Sequence, residues 1–441
     1  MSKNPIIKGT FILTITGLLT RFIGFFFRMF LSHTFGEEQV GLYQLIFPIY
    51  ALCFSLSSAG IEIALSRNVA QKISQGKKKE ADIMLYQALS LSLVVSLFLG
   101  FVVHRFATTF SIYILGDLRC EPLLQTLALA LPFASIHSCI CGYYLGQKKT
   151  EIPAMSQLFE QLGRVLSVYL VYKFLENNQT PGTIWIAVLG LGIGELISTL
   201  FCMRRFFVRP HTPFTCSAIF RNKHLFGELT SLAIPLTSSR ILMNILQSVE
   251  TISIPLCLQR YGYTNSEALS TYGVLTGMAL PCIFFPTAIT SSVSTMLLPT
   301  VAEIQAEDNL IRLKKLIQRV IFFGFGLGSF CGIGFLILGS SVGRLLFNSS
   351  LAGDYLRTLA WICPFMYMNN TLISILNGLG KATNSFLINI CSLAIRIFGV
   401  WFGIISYGMQ GYLWGLLGSQ LLVSILCVAN LKLYISARQL E

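Results

Sequence analysis

Five arginines and three glutamates lie inside stretches of sequence that are otherwise apolar enough to cross a membrane. They are Arg21, Arg28, Arg164, Arg240 and Arg396, with Glu160, Glu195 and Glu250. A charged side chain at the bilayer centre costs about 2.5–3.5 kcal/mol on insertion scales, so such residues normally face a bundle interior or a watery cavity. The arginines outnumber the glutamates, and guanidinium groups bind phosphate and pyrophosphate bidentately. These residues therefore predict a binding site for an anionic, phosphorylated group.

The spacing of these charges shows which of them have a partner nearby in the sequence. Glu160 precedes Arg164 by four residues, the favourable order for an ion pair on one helix, so self-neutralisation is one interpretation of this pair. Arg21, Arg240 and Arg396 have no acidic residue three or four positions away. Their counter-charge must therefore lie on another helix or on a ligand.

The remaining candidate residues are assigned to ion coupling or to substrate binding. Glu195 and Glu250 are acids on other predicted helices, and with Glu160 they are candidate proton or cation sites for coupling. Arg28 shares a helix face with Arg21 or extends to the membrane interface. Asn244, one turn after Arg240, is included among the candidate substrate-binding residues. Ion pairs that only lock the helices together remain the alternative.

The composition requires most of the chain to face lipid. Of its 441 residues, 54% are hydrophobic and 12% are charged, whereas a soluble domain has about 25% charged residues. Apolar runs of about 20 residues have the length of a membrane-spanning helix. There are twelve such runs: 10–31, 42–66, 83–103, 123–145, 156–175, 182–203, 229–256, 271–299, 317–339, 358–379, 385–405 and 409–431. The sequence therefore predicts an all-α integral membrane protein with twelve transmembrane helices.

Lysine and arginine are distributed unevenly between the loops. Twenty lie in one alternating set of connections and five in the other. The positive-inside rule assigns the first set to the cytoplasm, so both termini are expected to be cytoplasmic. The net charge of +13 is spread over short membrane-edge segments and forms no contiguous patch. This distribution argues against nucleic-acid binding.

The two halves of the chain resemble each other. LLQTLALALPF at 123–133 matches YLRTLAWICPF at 355–365, and Arg396 follows Arg164 at the same offset of 232 residues. The pattern predicts two six-helix lobes, 1–203 and 229–441, joined by a cytoplasmic linker at 204–228. An even number of helices per lobe gives parallel repeats, and charges on facing walls would enclose one central cavity.

The sequence shows no pattern typical of an enzyme or a metalloprotein. The twelve cysteines form no CxxC pair, and Cys139 with Cys141 lacks the spacing of zinc ligands. We interpret them as small apolar residues. No nucleophile–base pair or large outer loop is evident, so no catalytic residue, metal or cofactor is predicted.

Several segments are similar to a known family. GLYQLIFPIY at 41–50, AGIEIALSRNVAQ at 59–71 and CGYYLGQKKTEIPAMSQLFEQLGRV at 141–165 resemble the stage V sporulation protein B and polysaccharide-transporter family. That family belongs to the multidrug/oligosaccharidyl-lipid/polysaccharide flippase superfamily. The resemblance implies a V-shaped cavity between two lobes, and alternating access that moves a lipid-linked sugar or peptidoglycan precursor outward across the bacterial cytoplasmic membrane.

The first predicted span adds a more specific resemblance. TRFIGFFFR at 20–28 is similar to the first span of the lipid II flippases in this superfamily, so Arg21 and Arg28 are carried over as substrate-binding positions. Those flippases usually have fourteen spans, and the last pair helps to form a groove for the lipid tail. This chain has room for twelve, so other glycans linked to lipid pyrophosphate remain open as cargo.

Four functions are weighed on these grounds. The leading hypothesis is a monomeric flippase for a lipid-pyrophosphate-linked oligosaccharide or peptidoglycan precursor, working beside cell-envelope synthesis enzymes. Coupling to a Na⁺ or H⁺ gradient or to the membrane potential stays open. A drug or organic-cation antiporter of the same superfamily predicts a net acidic cavity. A membrane enzyme would need a substantial outer loop with catalytic residues. In a non-transporting scaffold of a wall-synthesis complex, the charges would serve only packing.

Overall fold

The computed structural model describes residues 5–179, 182–207 and 222–440, and these residues form helices and short connections without a β-strand. Long helices follow from the apolar runs, since a backbone in lipid must satisfy its hydrogen bonds within its own segment. In the first half of the chain they are α1 (Pro5–Leu45), α2 (Phe47–Phe54), α3 (Gly60–Ser74), α4 (Lys78–Arg105), α5 (Ala107–Thr109), α6 (Glu121–Gly146), α7 (Glu151–Asn177) and α8 (Trp185–Phe207).

The second half repeats this alternation of long helices and short turns. Its helices are α9 (Lys223–Tyr261), α10 (Asn265–Gly273), α11 (Leu280–Phe284), α12 (Thr287–Ala306), α13 (Leu310–Phe347), α14 (Ser350–Leu359), α15 (Cys363–Gly378), α16 (Ala382–Phe398), α17 (Ile405–Tyr407) and α18 (Met409–Leu440). Single π-helical turns occupy Ser55–Ala59, Phe110–Leu115, Val274–Ala279 and Gly399–Ile404, and 3₁₀ turns occupy Leu118–Cys120 and Ala360–Ile362.

The prediction of an all-α membrane fold is confirmed, and the number of spans stays a prediction. Within the described residues, nine helical stretches are long and apolar enough to cross a membrane, or ten when a pair bent by 56° near Pro286 counts as one span. The first stretch, Phe11–Ser74, contains two of the predicted segments. Helix α7 covers the predicted segment 156–175 and is not among these stretches.

The described residues divide into two compact units. The first holds those within Met1–Phe27 and Leu42–Ser248, and the second holds those within Arg28–Gly41 and Val249–Glu441. Each unit contains its own cluster of buried apolar side chains. These units differ from the predicted lobes 1–203 and 229–441, which stay a prediction. Residues 208–221 of the predicted linker lie outside the described residues.

Packing of α1 and α9 explains the difference. In the second unit, the Ser32 hydroxyl donates to the Phe347 carbonyl at 3.1 Å, and a Cβ added at Gly41 would lie 2.2 Å from the Leu269 carbonyl oxygen. In the first unit, a Cβ added at Gly60 would lie 2.7 Å from the Thr237 nitrogen on α9. Close contacts of this kind assign part of α1 to the second unit and the first part of α9 to the first unit.

Candidate functional site

A cavity of about 480 Å³ lies inside the first unit. Its apolar wall includes Leu13, Phe47 and Leu191. Its polar lining comes from five helices: Tyr50 of α2, Glu62 of α3, His137 and Ser138 of α6, Gln157, Glu160 and Arg164 of α7, and Glu195 of α8. A mostly apolar chamber with a few convergent polar groups is the usual form of a small-ligand or ion site.

The α7 part of the cavity contains the ion pair that the sequence spacing predicts. Arg164 Nη2 lies 2.5 Å from Glu160 Oε1, one helical turn away. Two glycines of α8 allow α7 to approach closely, because a Cβ at Gly194 would lie 2.7 Å from the Glu160 carbonyl oxygen and one at Gly190 would lie 2.2 Å from Val168 Cγ2. The pair is therefore fixed to a tightly packed helix interface.

Glu195 is the most buried carboxylate of this lining, with 7% of the residue exposed. The Tyr50 hydroxyl donates to its Oε1 at 3.2 Å, and His137 Nδ1 lies 3.5 Å from its Oε2. Within the part of the chain that the structure describes, Glu195 Oε2 and Arg164 Nε are buried without a hydrogen-bond partner. Orphaned buried polar atoms are rare in proteins, so both atoms are candidate contacts for a ligand, an ion or water.

This cavity of the first unit is acidic, whereas the basic excess was predicted for a central cavity between the two lobes, which stays a prediction. Glu62, Glu160 and Glu195 face Arg164 and a histidine, so the lining of described residues is net acidic whether or not His137 is protonated. The sequence count omitted Glu62, although this residue lies inside the predicted span 42–66. Ser138 donates to Glu62 Oε2 at 2.6 Å, which keeps the buried carboxylate hydrogen-bonded.

A second charged group lies inside the second unit. Arg396 Nε on α16 donates to Glu250 Oε1 at 2.7 Å, and the Tyr412 hydroxyl donates to the same oxygen at 2.6 Å. Glu250 is only 2% exposed, so this is a buried and well-satisfied ion pair. Arg396 also lines a neighbouring cavity of about 50 Å³ together with Gln420. The sequence predicted that the counter-charge of Arg396 is either an acid on another helix or a ligand. The structure shows the acid.

The other predicted residues are arranged differently. Arg21 and Arg240 are exposed and have no ion-pair partner among the residues that the structure describes. Arg28 is partly buried and interacts with neighbouring groups. Asn244 donates to Ser55 Oγ at 2.5 Å and to the Ala51 carbonyl at 3.3 Å, which gives it a structural contact within the first unit.

The sequence of the chain matches two protein families and a curated relative. Residues 6–305 match the family described as polysaccharide biosynthesis protein, and residues 240–402 match the MatE family. The chain is 26% identical to stage V sporulation protein B of Bacillus subtilis (strain 168), over 98% of this chain and 84% of the relative.

Two solved structures show the same fold. The inward closed conformation of the lipid II flippase MurJ superposes with a TM-score of 0.74, at 14% identity over 95% of this chain and 87% of that structure. The inward-facing conformation of a multidrug resistance MATE family transporter gives a TM-score of 0.71, at 16% identity over 96% and 95%.

Proposed function

Because this chain belongs to the polysaccharide biosynthesis protein family, we propose that it flips a lipid-pyrophosphate-linked oligosaccharide or peptidoglycan precursor to the outer leaflet. The family assignment confirms the resemblance seen at residues 41–50, 59–71 and 141–165. The chain is a multi-pass membrane protein of the multidrug/oligosaccharidyl-lipid/polysaccharide flippase superfamily. We place it in the bacterial cytoplasmic membrane as a monomer, with cell-envelope synthesis enzymes as neighbours. The proposed activity is transport without a covalent step.

The exposed guanidinium groups of Arg21 and Arg240 carry the proposal. Both lie in membrane-length helices, and neither has a carboxylate partner among the described residues. An exposed, unpaired guanidinium can bind an anion, and pyrophosphate matches its paired N–H donors. We assign Arg21 and Arg240 as the main contacts of the pyrophosphate head, with Arg28, Arg164, Arg396 and Asn244 as further candidates.

The acidic cavity of the first unit fits ion coupling better than it fits an anionic head group. A carboxylate such as Glu195, with one oxygen lacking a hydrogen-bond partner in the described structure, suits a proton or Na⁺. Glu160 stands one turn from Arg164 in the same lining, and Glu250 is the corresponding candidate in the second unit. Ion binding at Glu195 would change the charge of the cavity and so favour one state of the transport cycle over another.

Transport in vesicles of defined composition tests the proposal. We expect the reconstituted protein to move a pyrophosphate-linked glycolipid between leaflets. The substitutions Arg21→Gln and Arg240→Gln should each lower the rate at least tenfold. Arg260→Gln, at the exposed end of the same helix as Arg240, is the matched control and should retain the wild-type rate. Equal rates for all four proteins would contradict the assignment.

The net acidic cavity also favours a second candidate function, the export of organic cations in exchange for Na⁺ or H⁺. Carboxylates facing a chamber attract cationic ligands, and MatE similarity extends over residues 240–402. The same vesicles separate the two functions. Export of a cationic dye while several pyrophosphate-linked glycans stay on the inner leaflet would establish the antiporter and reject the flippase.

A further inference from the structure

His137 and Cys141 of the first unit's cavity lining form a group with Cys202 whose side-chain types can bind a metal ion. His137 and Cys141 stand one turn apart on α6, so they share one face of that helix, and Cys202 lies on α8. The ligand atoms of the three residues all lie within 4.8 Å of one another. Both cysteines are buried free thiols. The mechanism proposed above uses neither of them.

We propose that His137, Cys141 and Cys202 form a binding site for Zn²⁺. One imidazole and two thiolates are ligands that Zn²⁺ prefers, at about 2.0 Å for nitrogen and 2.3 Å for sulfur. Ligand atoms around a tetrahedral Zn²⁺ are therefore about 3.3–3.8 Å apart. The three atoms lie close enough together to reach that geometry through small side-chain adjustments.

The Ser156 hydroxyl on α7 indicates where the ion would bind. Its Oγ lies 3.4 Å from Cys202 Sγ and 3.9 Å from Cys141 Sγ, and it hydrogen-bonds to His137 Nε2. The two thiols and the imidazole thus already converge on one polar atom between three helices. Ser156 is either displaced by the ion or becomes its fourth ligand.

Glu195 supplies the outer support that such a site needs. The other imidazole nitrogen, His137 Nδ1, lies 3.5 Å from Glu195 Oε2. Metal-bound histidines usually donate their free N–H to a carboxylate, which fixes the tautomer and the orientation of the ring. With Nδ1–H directed to Glu195, the Nε2 lone pair is directed towards the thiols.

The charge balance permits this ion in a membrane-buried position. Binding of Zn²⁺ displaces one proton from each thiol, so two protons leave as one dication enters. Two thiolates, a neutral imidazole and Zn²⁺ have no net charge, which avoids the cost of an uncompensated charge in lipid.

Zinc occupancy would also affect transport, a consequence that rests on the proposed function. His137 belongs both to the zinc ligands and to the surroundings of Glu195. A bound ion would hold His137 Nδ1–H on the carboxylate and link α6 to α8. Zn²⁺ should then inhibit the ion-coupled cycle by fixing Glu195 in one hydrogen-bonded state.

Titration of the purified full-length protein with Co²⁺, followed by competition with Zn²⁺, tests the site without a transport assay. We expect one equivalent of Co²⁺ with a thiolate charge-transfer absorption that Zn²⁺ removes. Cys141→Ser and Cys202→Ser should abolish this absorption, and Glu195→Gln should weaken binding about 10–100-fold.

Cys139→Ala is the matched control, because that buried thiol on α6 contacts the Ala88 carbonyl instead of Ser156. Absence of the absorption in the wild type, or its persistence in the Cys141→Ser/Cys202→Ser double variant, overturns the proposal.

A measurement on the wild-type protein covers the case in which these variants do not fold. Zn²⁺ should slow the alkylation of Cys141 and Cys202 at least tenfold, as measured by mass spectrometry, and leave the exposed Cys391 unaffected. Equal alkylation rates with and without Zn²⁺ reject the site. Since neither readout involves cargo, failure of the zinc site leaves the proposed flippase activity standing.

Discussion

The buried Glu195 of α8 and the partly buried His137 of α6 form a pair, with 3.5 Å separating Oε2 from Nδ1. Tyr50 contributes a hydrogen bond to the other oxygen of Glu195 from a third helix. A charge change at this carboxylate therefore reaches three helices of one unit at once. This arrangement identifies Glu195 as the residue to test first for coupling.

Glu195→Gln should separate coupling from folding. The amide keeps the shape of the side chain and can still accept the Tyr50 hydrogen bond, but it cannot take up a proton and has no charge to attract Na⁺. We expect transport driven by an ion gradient to fall at least tenfold in reconstituted vesicles.

Two comparisons make this result specific. Glu176→Gln on α7 is the matched control, because Glu176 is exposed and pairs with Lys173 at 2.6 Å. Thermal unfolding in detergent should give similar midpoints for both variants and the wild type. If the transport rate of Glu195→Gln depends on the ion gradient as the wild-type rate does, this residue takes no part in coupling.

The Glu250–Arg396 pair predicts strong non-additivity. Loss of one partner leaves an uncompensated buried charge and typically costs about 3–5 kcal/mol, whereas replacement of both by apolar residues is often neutral. Glu250→Leu and Arg396→Leu should each lower the unfolding midpoint strongly, and the double variant should recover most of the loss. The Tyr412 hydroxyl loses its acceptor in the double variant, so recovery should be incomplete.

Transport by the same double variant shows whether the Glu250–Arg396 pair serves only packing. If the arginine only locks α16 to α9, the recovered protein should transport at a near wild-type rate. If the pair also serves transport, through pyrophosphate binding at Arg396 or ion coupling at Glu250, the recovered protein should remain inactive. Stability and activity that both stay lost would show that apolar side chains cannot fill this site.

Local sequence patterns predicted the helices and the Glu160–Arg164 pair within one helix. Runs of about twenty apolar residues correspond to helices of the structure, and the i,i+4 spacing correctly paired Glu160 with Arg164. Both features depend on neighbours in the sequence. The partner of Arg396 could be narrowed only to an acid elsewhere or a ligand, since Glu250 lies 146 residues away and is brought close by tertiary packing.

The cavity of the first unit shows which site residues could have been predicted from the sequence and which could not. A charge count over every predicted span would have included Glu62, which lies within 42–66. The one-turn spacing of His137 and Cys141 is also visible in the sequence, but Cys202 and Ser156 join them only through the packing of α6, α7 and α8. The hydropathy of the sequence likewise does not show that part of α1 belongs to the second unit and the first part of α9 to the first unit.

Gly41→Ala should destabilise the second unit. The added Cβ would lie 2.2 Å from the Leu269 carbonyl oxygen, and backbone atoms of α10 cannot rotate away as a side chain can. Overpacking of this kind costs about 1–3 kcal/mol. We expect a lower unfolding midpoint in detergent.

Gly326→Ala on α13 is the matched control for this substitution. Among the described residues, no atom outside the local backbone of α13 lies within 4 Å of its added Cβ. Alanine is favoured over glycine inside a helix by about 1 kcal/mol. This variant should unfold at or above the wild-type midpoint. If Gly41→Ala were equally stable, the close approach of α1 to α10 would not be a required feature of the fold.

The uneven distribution of lysine and arginine predicts which connections face the cytoplasm. Lys77 lies in the basic turn between α3 and α4, whereas Tyr113 lies in the opposite, weakly basic connection and is 82% exposed. In cells, a cysteine introduced as Tyr113→Cys should react with a membrane-impermeant maleimide, and Lys77→Cys should react only after the membrane is permeabilised. Both variants should be made in a protein whose exposed Cys391 is replaced, because that thiol could also react. The reverse pattern of labelling would invert the topology, and with it the proposed direction of transport, since the positive-inside rule is the basis for placing the basic turns in the cytoplasm.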